Sequence, residues 1–73
     1  MNPIQYFRER YDESHCIMKW DVEALGVHFT FYHRCGEGCC SCSNEHFLSL
    51  EDPAWQEYEQ FFIDNPHGDD YED

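Results

Sequence analysis

The chain has 73 residues, of which 16 are Asp or Glu and only 4 are Lys or Arg, giving a formal net charge of -12. That length bounds it to one domain and excludes the multilayered α/β enzyme folds. The charge argues against direct binding of nucleic acid or an anionic membrane, because phosphate groups are held by clustered Lys and Arg, and the cations are Arg8, Arg10, Lys19 and Arg34 alone. Acidic chains that stay disordered are poor in aromatics, whereas 18% of these residues are Phe, Trp or Tyr. A folded, aromatic-rich core is therefore expected.

In chain order, Asn2-Pro3 opens a helix, with Asn2 as the N-cap and Pro3 in the first helical position. Ile4, Phe7 and Tyr11 follow at i, i+3 and i+7, with Tyr6 widening the apolar face, so residues 3–11 are expected to be helical. From residue 16 the period changes to two. Cys16, Met18, Trp20 and Val22 alternate with Ile17, Lys19, Asp21 and Glu23. After a turn at Ala24-Leu25-Gly26, Val27, Phe29 and Phe31 alternate with His28, Thr30 and Tyr32, and the two runs predict an antiparallel hairpin.

Residues 35–44 read as a Gly-, Cys- and Ser-rich loop, and 45–50 as a third strand with Phe47 and Ser49 on one face. Asp52-Pro53 repeats the capping pattern, and Trp55, Tyr58 and Phe62 recur at helical spacing over residues 53–63 until Asn65-Pro66 stops the run. The expectation is an α+β domain over residues 1–66, ordered α-β-β-β-α, in which two short helices pack on a two- or three-stranded antiparallel sheet. Residues 67–73 are expected to form an acidic, solvated and disordered tail.

Cys35, Cys39, Cys40 and Cys42 lie within eight residues of one another, flanked by His33 and His46. Thiolate and imidazole are the ligands Zn²⁺ prefers, and Gly36 and Gly38 allow a tight backbone turn around an ion. Cys35, Cys39 or Cys40, and Cys42, completed by His33 or His46, make a candidate zinc set. Against it, structural zinc sites join two knuckles through a longer segment, and here there is one cluster. Reduced loop thiols, with Cys16 in the core, and a disulfide such as Cys35 with Cys40 are the competing readings. Catalysis by a thiol needs its pKa lowered by a helix N-terminus or a nearby cation, and Arg34 is the one local cation in a negative field. A redox pair belongs near a helix start rather than in a loop. The chain is accordingly expected not to be an enzyme. His15, His28, His33 and His46 are expected to be solvated.

No stretch approaches the ~20 apolar residues of a membrane span, and the first residues carry no leader pattern, so a reducing cytoplasm is the expected compartment. Carboxylates occur in every segment. Asp21 and Glu23 share one face of the first strand, Glu57 and Glu59 lie off the aromatic stripe of the second helix, and Asp69 and Asp70 sit in the tail. Solubility alone accounts for a few units of charge, while -12 adds self-repulsion that destabilises the compact state. These six residues are therefore the candidate surface for binding a basic protein, with association steered electrostatically.

The segment Cys35-Gly36-Glu37-Gly38-Cys39-Cys40-Ser41 resembles a GEGCCS-type stretch of small uncharacterised proteins of actinobacterial phages. The resemblance implies a phage accessory protein acting in the cytoplasm of a bacterial host. Class analogy then suggests inhibition of a nucleic-acid-binding or defence enzyme through a DNA-mimic-like surface. The alternative expectation is a small zinc-stabilised structural or assembly module.

Overall fold

The computed structural model describes residues 2–12, 17–32 and 43–71. The elements run α1 (Pro3–Tyr11), β1 (Ile17–Glu23), β2 (Gly26–Tyr32), β3 (Ser43–Ser49), α2 (Pro53–Asp64) and β4 (His67–Tyr71). The fold is α+β, with an antiparallel sheet of order β3-β2-β1-β4.

Both helices begin as the sequence leads one to expect. The Asn2 side chain accepts from the Ile4 amide at 2.8 Å, and the Asp52 side chain accepts from the Ala54 amide at 2.9 Å. Pro occupies the first turn of each helix, where its missing N–H costs nothing. Helix α1 ends on Asp12, whose φ of 56° is left-handed and whose amide bonds back to Arg8 and Glu9. Helix α2 is bent at Tyr58 (φ -113°, ψ 17°), whose ring packs against Tyr6 and Phe7 of α1.

The β1–β2 connection is two residues long, with Glu23 opposite Gly26. Gly26 sits at φ +156°, and a Cβ there would run into the Leu48 carbonyl oxygen. The close approach of β3 to the hairpin therefore requires glycine at this position.

Period-two alternation divides the sheet into two faces. Met18, Trp20, Val27, Phe29, Phe31 and Leu48 turn inward and form one core with Phe7, Ala54 and Phe62. Phe7 lies 4.8 Å from Phe29 and 5.7 Å from Phe62, ring to ring, and Trp55 stacks on Phe62 at 5.8 Å. Both helices lie on this face. Among the described residues, no helix or strand packs on the other.

Two expectations need correction. The sheet has four strands instead of two or three, and residues 67–71 are a strand in place of the start of a disordered tail. Gly and Asp are poor strand formers, so this segment pairs because of its neighbours. The Val22 amide donates to the Pro66 carbonyl at 2.7 Å, and the Trp20 indole N–H donates to the Asn65 carbonyl at 2.9 Å. These bonds deliver the chain to the edge of β1. Gly68 then fits beneath the Trp20 ring, where a Cβ would approach Cζ2 to 2.6 Å. Asp70 meets the buried Arg8 guanidinium at 3.1 Å.

Candidate functional site

The open sheet face, on which no described helix or strand packs, is built in rows set by register. One row crosses from His67 to Asp21, His28 and Phe47, and the next from Asp69 to Lys19, Thr30 and Glu45. At the hairpin end Glu23, Gly26 and Ser49 line up. Asp21, Glu23, Glu45 and Asp69 are on this face, and the face carries one described cation, Lys19.

The distribution of cations follows from the core. Arg8 is buried under α1, donating to both the carbonyl and the carboxylate of Asp70 at 3.1 Å. Arg10 holds Asp52 through two bonds of 3.2 and 2.6 Å. Both arginines thus serve the helical layer. Lys19 lies 5.6 Å from the centre of the Tyr32 ring, at one side of the open face.

His28 lies between two of the acidic groups. Its Nδ1 is 3.4 Å from Glu23 and its Nε2 is 2.9 Å from Glu45, reaching across β1, β2 and β3. Both carboxylates remain more than half exposed, at 51% and 64% of their side-chain surface. They are oriented without being withdrawn from water. Of the histidines expected to be solvated, His28 keeps 37% of its side-chain surface exposed, next to two carboxylates. His46 points into the helical side of the sheet, stacked on Tyr11 at 4.2 Å and edge-on to Phe31.

Comparison with protein-family models, with curated proteins and with solved structures finds no match.

Of the six candidate binding residues, the structure brings Asp21, Glu23 and Asp69 together on the open face. Glu57 and Glu59 are exposed on α2, in the opposite layer. Asp70 turns toward Arg8 and is a structural group. Sequence reasoning did not single out Glu45, although its signal was present: it precedes Phe47 and Ser49 in the same alternation. The candidate zinc ligands Cys35, Cys39, Cys40, Cys42 and His33, with Cys16, lie outside the described residues. Among the described residues, no group of three or more His, Cys, Asp and Glu side chains is arranged to hold a metal ion. No helix among them is long and apolar enough to cross a membrane.

Chemically, such a face suits cation recognition. Carboxylates at i and i+2 on a strand stand about 7 Å apart, and each such pair repels by roughly 0.6 kcal/mol in bulk water. Every Lys or Arg placed between them replaces repulsion with attraction. Exposed pairs are each worth about 0–1 kcal/mol, so binding must come from several at once.

Proposed function

We propose that this chain is a non-enzymatic binding protein whose open sheet face occupies a basic surface of another protein. The observation that carries this reading is the grouping of Asp21, Glu23, Glu45 and Asp69, with Lys19 to one side, on a sheet face where no described helix or strand packs. A basic cleft that ordinarily takes nucleic acid is the natural complement, since its Lys and Arg already await an ordered row of anions. The setting suggested by the resemblance of residues 35–41 is a phage accessory protein in a bacterial cytoplasm, acting on a nucleic-acid-binding or defence enzyme of its host. The net charge of -12 supports the same direction by steering such an encounter from a distance.

The test is a tagged pull-down from bacterial lysate, eluted by rising salt and identified by mass spectrometry, run with two charge-neutralised variants. D21N/E23Q/E45Q/D69N is expected to lose a basic, salt-released partner that the unmodified chain retains. E57Q/E59Q, altered on the opposite layer, is expected to keep it. Equal recovery by all three proteins rejects the open face as the binding surface.

A further inference from the structure

Phe47 stands out on the acidic face. It is 51% exposed, and its ring leans over Gly26, where an added Cβ would lie 2.9 Å from the ring's Cζ. On one side Phe47 borders a shallow cleft shared with His28, Glu45 and His46. On the other it walls a second cleft of about 470 Å³ with Leu25, Ser49, Leu50 and Glu51. Leu25 is 76% exposed and Leu50 38%. Three large apolar side chains therefore converge at the hairpin end of the open face, with Glu23, Glu45 and Glu51 around them. Contiguous exposed apolar surface rimmed by charge marks an interaction site.

We infer that this patch receives a cationic amphipathic helix of the partner protein, its apolar side chains seated against Phe47 and in the Leu25–Leu50 cleft. The inference rests on the basic-protein reading above and specifies what the partner presents. The charge of the rim is complementary to such a helix. No described helix or strand packs on this face, and a helix is the element that the other face already carries. A helix with Lys and Arg flanking an apolar stripe sets those cations against the ring of carboxylates while its stripe covers the apolar centre. Apolar centre and polar rim is also the division of labour found where a few residues dominate binding. A second copy of this chain fits poorly, because it would bring a second charge of -12 against the same face.

The experiment uses two synthetic peptides of equal positive charge as probes, a Leu–Lys amphipathic helix and an oligolysine, titrated into the intact protein by calorimetry. The amphipathic peptide is expected to bind roughly tenfold more tightly, as burial of one large apolar group provides. F47A is expected to abolish that margin and leave oligolysine binding unchanged, F47L to retain most of it, and I63A, exposed on α2 away from the patch, to change nothing. D21N/E23Q/E45Q is expected to weaken both peptides. Equal affinities and indifference to F47A overturn the helix inference while leaving the basic-protein reading in place. Undiminished binding of the amphipathic peptide by D21N/E23Q/E45Q overturns the basic-protein reading, and the inference with it. If the unmodified protein sediments as a dimer and F47A as a monomer, the face belongs to a second copy and the inference falls.

Discussion

At the start of α2, one carboxylate is shared between a backbone amide and a guanidinium. Asp52 caps Ala54 and pairs with Arg10, tying the two helices together at their ends. The Arg10 guanidinium, and after it the Ala54 amide, hold the Asp52 carboxyl below its ordinary 3.8. The same contact pushes the Arg10 pKa further up, so Arg10 stays charged at every accessible pH. A depressed folded-state pKa gives stability that is fully present above the unfolded value and disappears as pH falls through the folded one. D52N separates the two contributions, because Asn caps as well as Asp but cannot pair with Arg10 as an anion. At neutral pH D52N is expected to be less stable by about 0.5–1 kcal/mol, the range for a well-formed exposed pair. D52A adds about 1 kcal/mol for the lost cap. Thermal melts across pH check the assignment. The gap between the unmodified chain and D52N should be constant above about pH 5 and close as pH falls below 3.8. A gap that persists in acid rejects the ion pair as its source.

Among the elements, β4 is the one whose existence depends on side chains far away in sequence. Arg8 has 7% of its side-chain surface exposed and is satisfied in part by the carbonyl and carboxylate of Asp70. D70A is expected to cost about 1–3 kcal/mol, because a buried guanidinium loses one carboxylate acceptor but keeps the backbone acceptor of the same residue. A chain ending at Pro66 loses both acceptors and the whole pairing with β1, and is expected to lose more than D70A by urea denaturation. A disordered tail is indifferent to either change, so two unaltered midpoints reject the strand. The contrast with the other elements is physical. Helices α1 and α2 and the β1–β2 hairpin carry their own signals: caps at Asn2 and Asp52, apolar period, and alternation from Met18 to Phe31. HGDDY carries none. Its place is set by the Trp20 indole, the space over Gly68 and the charge on Arg8, which meet only after the rest has folded. The site was legible to the same extent. The carboxylates were visible by type, and Asp21 with Glu23 by alternation. The separation of Glu57 and Glu59 from them needed the placement of α2, and the part played by Glu45 needed the β2–β3 register.

For the molecule as a whole, salt acts in opposite directions on stability and on binding. The sequence holds 16 carboxylates against 4 Lys and Arg, so repulsive pairs outnumber attractive ones in the folded state. Arg8–Asp70 and Arg10–Asp52 are short-range contacts, and Arg8 is buried, so mobile ions screen them weakly. The repulsions are long-range and exposed. The Debye length falls from about 30 Å at 0.01 M to about 8 Å at 0.15 M, which removes interactions across the open face before it touches the contacts. The melting temperature of the free protein is therefore expected to rise with NaCl over that range, by about 4–8 °C for each kcal/mol of repulsion screened. Association with a basic partner draws on the same field with the sign reversed, and its rate constant is expected to fall over the same titration. Calorimetric melts and stopped-flow association with an oligolysine probe, recorded in the same buffers, read the two effects side by side. A melting temperature that falls with salt means that ion pairs outweigh repulsion in the folded state. The clustering of carboxylates on the open sheet then has no measurable cost to explain, and excess charge no longer points to a binding face.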